Sequence, residues 1–263
     1  MAPLPTDIDG VIERLSAIIQ DCIARQDRLG YFAALYNRVT IAVKDRIARG
    51  EFQDGPRMER LDVAFANRYL TAYQTYRSGE LPTLSWLKAF QAAQTDRFIV
   101  LQHLLAGMNA HINLDLAVAA ARTCAGSELA GLRHDFDRIN DVLASLTPVV
   151  EQELGECSPE LQAMTALAPK KLELKMVGFS MDRARAATWS FAEELAPLRH
   201  LPQVEKMATR DAAVALIADA VLADNWLIQM IRGREKDDVA ETIAILSSGE
   251  FRTTVGPAIS IPA

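Results

Sequence analysis

The 263-residue chain is short of everything that staples, exports or anchors a protein. Three cysteines, Cys22, Cys124 and Cys157, cannot all pair and have no CxxC or zinc-finger spacing, so reduced thiols are expected. Cations are not in excess: 28 Lys and Arg stand against 34 Asp and Glu, a net charge of −6. The basic residues are scattered, and the longest basic feature, Arg232, Arg234 and Lys236, is broken by Gly233 and Glu235. Phosphate recognition needs clustered cations, so nucleic acid is not an expected partner. No stretch reaches the ~18 uninterrupted apolar residues of a membrane span. The opening MAPLPTDIDG lacks a basic segment followed by an apolar run. A cytoplasmic chain with no membrane partner is the expectation.

Catalytic motifs are equally scarce. GxSxG, HExxH and Walker A sequences are absent, as are the paired Glu-x-x-His motifs of di-iron bundles. Four histidines are too few for the helical zinc nucleases and phospholipases. His134-Asp135 faintly resembles the order found in HD phosphohydrolases, but His134 falls on a polar face. Asp237-Asp238 with Glu241 mimics an acidic magnesium motif and reads better as a charged helix start.

What the sequence does have is helical periodicity. Apolar residues recur at three- and four-residue spacing and no segment alternates as a strand would, so an all-α, single-domain bundle of about nine or ten helices is expected. Its core should span residues 6–247, with 248–263 as an extended arm. The first helix should open at Thr6-Asp7 and end near Gly30, the second run from Tyr31 to Ala48, and the third from Pro56 to Arg77. Thr83 should cap a short helix through Ala93, and a long helix should run from about Asp96 to Cys124. Ser127 should cap the next, through about Leu154 with a kink at Pro148. A short helix should start at Ser158 and close at Pro169, and another should end at Leu195. A loop is expected over 197–208, then an apolar helix from Thr209 to Met230 and a last one from Lys236 to Ser247.

The informative residues are the polar ones that this periodicity turns inward. On the long helix, His111 and Asp115 lie on or beside the face of Leu101, Leu104, Leu105, Met108, Ile112 and Leu116. Four residues apart, they can meet or hold one ion together. His103 lies about 12 Å further along the axis and can join them only if the helix bends near Gly107. Asp62 sits among Met58, Phe65, Tyr69, Ala72 and Tyr76, where a carboxylate needs a tyrosine, arginine, histidine or metal partner. Asp135 points into the core of its helix, whereas His134, Asp137 and Asp141 point away.

Three segments, MERLDVAFANRYL (58–70), LQHLLAGMNAHINLDLAVAAA (101–121) and DFDRIN (135–140), together resemble a bacterial helical domain family of unknown function. GMNAHINLDL is the distinctive stretch, and the resemblance covers about residues 8–235. It draws attention to Asp62, Asn67, His103, Asn109, His111, Asn113 and Asp115 and supplies no mechanism.

Three readings follow. In the first, His111 and Asp115 ligate iron, zinc or manganese, with Asp62, Asp135 or His103 completing the shell. The ion would serve a hydrolase or oxidase acting on a small apolar molecule, with Asn67, Tyr69, Asn109 and Asn113 around the site. In the second, His111 is a metal-free general base oriented by Asp115. In the third, the same groups only cross-link the helices of a ligand-binding or scaffold protein.

Overall fold

A single long helix runs through the middle of the protein, and the other elements are laid around it. In the computed structural model, which describes residues 3–167 and 181–247, this axis comprises α5 (Val100–Ala110), a π-helical segment His111–Asp115 and α6 (Leu116–Thr123). By length and composition it is apolar enough to cross a membrane, yet 89% of its most apolar window is buried inside the protein. A helix hydrophobic all round is what the centre of a large helical core requires.

Before it come α1 (Ile8–Arg25), α2 (Gly30–Ala48), α3 (Gly55–Arg77) and α4 (Leu84–Ala93). After it come a 3-10 turn (Gly126–Glu128), α7 (Leu129–Cys157), α8 (Pro159–Leu167), α9 (Met181–Leu195), α10 (His200–Val221), α11 (Trp226–Arg232) and α12 (Val239–Leu246). The described residues contain no strand. The expected all-α class therefore holds, and the arm 248–263 and the stop at Pro169 lie outside the described residues.

Local chemistry explains the boundaries. Asp7 caps α1 by accepting from the Gly10 amide at 2.8 Å, and Asp54 caps α3 through the Arg57 amide at 2.9 Å. α1 ends at Gln26, in the left-handed region at φ 53°, rather than near Gly30. Gly30 instead opens α2, at a position where a Cβ would lie 2.5 Å from Ile243 and 2.7 Å from Cys22. The segment expected as a loop over 197–208 is largely helix, since α10 starts at His200. The helix expected to run to Met230 breaks after Val221 and turns by 73° into α11. Asn225 makes the new start, its side chain accepting from the Leu227 and Ile228 amides. Asp238 caps α12 through the Glu241 amide, so the acidic pair at 237–238 is a helix start as the sequence suggests.

The core divides into two larger clusters. One is built from α1, α2, the later part of α3, α4, α5 and α12, the other from the start of α3, α6, α7 and α9. Between them lies a cavity of about 360 Å³.

Candidate functional site

The π-helical segment brings the site together. Its widened turn is closed by the Leu116 amide, which bonds the His111 carbonyl five residues back. Such a turn leaves carbonyls without their usual partners, and neighbouring helices supply them. The Thr188 hydroxyl donates to the Ile112 carbonyl at 2.6 Å, and Arg210 Nε donates to the Asn113 carbonyl at 3.0 Å. Asn109 Nδ2 donates to the Val214 carbonyl at 2.9 Å, and Asn113 Nδ2 to Asn109 Oδ1 at 3.0 Å. Both asparagines singled out in the sequence therefore hold α10 to the axis and stand outside the cavity.

His111 and Asp115 do meet, Nδ1 to Oδ2, at a long 3.4 Å. The carboxylate is fixed from two further sides, by Arg68 Nε at 2.6 Å and by Trp86 Nε1 at 2.7 Å. Burial pushes the Asp115 carboxyl up, but Arg68 and the hydrogen bonds from His111 and Trp86 outweigh it and hold it below the usual range. An ionised carboxylate only accepts, so His111 carries its proton on Nδ1 and keeps a lone pair on Nε2. Burial lowers the His111 pKa against the pull of Asp115, leaving the ring neutral near pH 7. The ring is stacked on Phe65 at 3.5 Å between centroids and met edge-on by Tyr36 at 4.5 Å and Phe32 at 5.6 Å. Tyr69 lies behind it at 6.2 Å. His111 Nε2 has no hydrogen-bond partner.

His111 is in the wall of the cavity, and Asp62 shares that wall. Most of the lining is apolar: Phe32, Leu35 and Val39 of α2, Leu104, Leu105 and Met108 of α5, and a stripe along α7. Asp62 Oδ2 is buried without a partner, contrary to the expectation that a tyrosine, arginine or histidine would satisfy it. Burial, helped by Glu59, instead raises its pKa to about 7, so the carboxyl stays protonated well above the ordinary range.

The remaining expected ligands go elsewhere. Asp135 is fully buried, but it accepts from the Gln53 and Asp54 amides at 2.8 and 3.0 Å and from Arg57 at 2.9 Å. It thus ties α7 to the entry of α3. His103 packs edge-on against Tyr31 at 5.6 Å and Phe98 at 6.1 Å, beside a separate pocket that includes Arg28 and Gly107. No bend at Gly107 brings it closer; Gly107 is there because a Cβ would lie 2.5 Å from the Phe32 ring. Asn67 donates to the Pro5 carbonyl at 2.9 Å and holds the N-terminal segment. The five expected metal donors therefore do not form one shell. Among the described residues no group of three or more His, Cys, Asp or Glu side chains could hold a metal ion. Asp115, moreover, has already given its oxygens to Arg68 and Trp86.

Sequence reasoning missed Arg68, Trp86, Tyr36 and Arg185. Arg68 had a signal, since a buried carboxylate calls for a cation, but the helix that supplies it could not be chosen from spacing alone. No curated protein and no solved structure matches the chain. The profile of a family of unknown function, DUF5995, matches residues 8–224. The helical domain that the three segments resemble is thus placed by a match over most of its length: the chain belongs to the DUF5995 family.

Proposed function

We propose that this protein takes a small, largely apolar molecule into the cavity between its two core clusters and carries out metal-free proton transfer on it with His111 as the base. The observation that carries this reading is His111 in the wall of an apolar cavity, with its Nε2 buried and unpartnered. A buried acceptor left without a donor costs about 1–3 kcal/mol, and a bound hydroxyl or N–H group would recover it. Asp115 supplies the orientation that a general base needs, holding the tautomer from behind as Arg68 and Trp86 hold it. The imidazolium formed when Nε2 takes a proton would lie against this carboxylate. Asp62, with its pKa near neutrality, is the matching proton donor on the same wall.

The test uses N-phenyl-naphthylamine, a neutral apolar fluorophore with a single N–H donor. Wild type should take up about one equivalent. Leu143→Trp, which fills the α7 side of the cavity, should weaken uptake by about tenfold or more while keeping the helical circular dichroism. Equal uptake by both proteins would place the probe outside the cavity and contradict the reading.

A further inference from the structure

The cavity has one feature that an apolar ligand with a single hydrogen-bonding group does not use. Arg185, from α9, lies in its wall and is only 5% exposed. One of its terminal nitrogens donates to the Phe136 carbonyl at 2.5 Å, and the guanidinium sits 4.4 Å over the Phe136 ring. Its Nε has no partner, and no carboxylate of the described residues lies within ion-pair distance of it. Asp137 and Asp182 act on it only from a distance and are opposed by Arg133. Desolvation lowers its pKa to about 10, so it remains a cation near neutrality. A buried charge without a counter-ion is costly, and a bound anion is the natural remedy.

The shape of the cavity says what is attached to that anion. Its α7 wall is one stripe, Phe136, Ile139, Leu143, Leu146, Val150 and Leu154, at three- and four-residue spacing. Eighteen residues of helix separate its ends, about 27 Å. One leaflet of a bilayer, half of the ~30 Å hydrocarbon core, needs only ~15 Å of acyl chain. Arg185 marks the Phe136 end of this wall, and Thr147 and Glu151 stand beside the stripe further along α7. Arg57 joins the start of α3 to Asp135, and Thr188, one turn beyond Arg185, bonds the π-helical segment at Ile112. Near the opposite end, where Leu154 lies, the Val100 amide bonds Glu235, and the Cys157 carbonyl accepts from the next residue, Lys236.

We propose that the ligand is a long-chain carboxylate, its headgroup on Arg185 and its chain running along α7 toward Leu154 and Leu101. This rests on the cavity being a ligand site and adds the chemical class of the occupant. Asp62, which lines the same cavity, carries no charge below about pH 7.

Palmitate and hexadecanol share one chain and differ in the headgroup. Displacement of N-phenyl-naphthylamine by each, at about pH 6, separates the headgroup claim from the cavity claim. Wild type should bind palmitate about tenfold or more tightly than hexadecanol, a difference of about 1.4 kcal/mol. Arg185→Met should remove that preference and leave hexadecanol binding unchanged, whereas Arg185→Lys should retain part of it. Equal binding of acid and alcohol by wild type would overturn the carboxylate assignment while leaving the cavity reading intact. Failure of both to displace a bound probe would overturn the chain-length assignment, and failure of the probe itself to bind would count against the cavity. Should Arg185→Met lose its fold along with the Phe136 hydrogen bond, the wild-type comparison alone decides the headgroup.

Discussion

His111 has two ring nitrogens in unlike surroundings, and their difference is measurable. Nδ1 faces Asp115, while Nε2 is buried without a partner on a residue that lines the cavity. With four histidines in the chain, nitrogen-15 NMR can separate their tautomers. The Nδ1–H form of His111 should dominate at pH 7. Asp115 raises the His111 pKa and Arg68 lowers it, so Asp115→Asn should depress it further. An unchanged pKa in that variant would remove the orienting role. The substitution should also cost about 3 kcal/mol, because it strands Arg68 beside the core. Two other buried groups give stability opposite slopes with pH. Asp62 titrates at about 7 when folded against 3.8 ordinarily, so its contribution is complete below about pH 4 and is lost as pH rises through 7. Asp62→Asn should therefore gain on wild type by up to about 4 kcal/mol between pH 4 and pH 8 in urea melts. His103 titrates at about 3 against 6.5, so its contribution is present above 6.5 and is lost as pH falls toward 3. His103→Phe should flatten the acid side of the same curve. Parallel curves for wild type and variant would contradict either assignment.

At the scale of the element, the π-helical segment is where the sequence was most and least legible. The inward turn of His111 and Asp115 followed from 3.6-residue periodicity, and their meeting survives the wider turn. The widened turn itself left no mark in spacing, because its stability comes from Thr188 and Arg210 on helices that arrive much later in the chain. Thr188→Val should cost about 1–3 kcal/mol, since it leaves the buried Ile112 carbonyl without its donor. Amide exchange should quicken first at residues 111–116; a variant as stable as wild type would mean that the carbonyl finds another partner. α10 was misread for a related reason. Leu201 and Val204 are 75% and 48% exposed, so its first turns bury little of the apolar spacing they carry, and Pro202 among them reads as a loop. The break at Asn225 had a capping signal, but the apolar run on either side hid it. Asp135 points inward as its spacing implies, but its partners include backbone amides at the entry to α3, which side-chain patterns do not display.

Across the whole molecule, the two core clusters are joined by the axial helix and kept apart along α7. That separation leaves half-buried leucines, such as Leu143 and Leu146, facing a void that dense packing would ordinarily fill. A ligand binding only the folded state should stabilise it by about 2.7 kcal/mol at a hundred times its Kd. The melting temperature should therefore rise with N-phenyl-naphthylamine in wild type and not in Leu143→Trp. The central claim, that His111 Nε2 awaits a group brought by a bound molecule, is tested most directly by the nitrogen-15 spectrum of His111 during saturation with the same probe. The Nε2 resonance should move toward the hydrogen-bonded range with about one equivalent bound, while Nδ1 keeps its proton on the Asp115 side. An Nε2 resonance that stays in place while the probe fills the cavity would contradict the account.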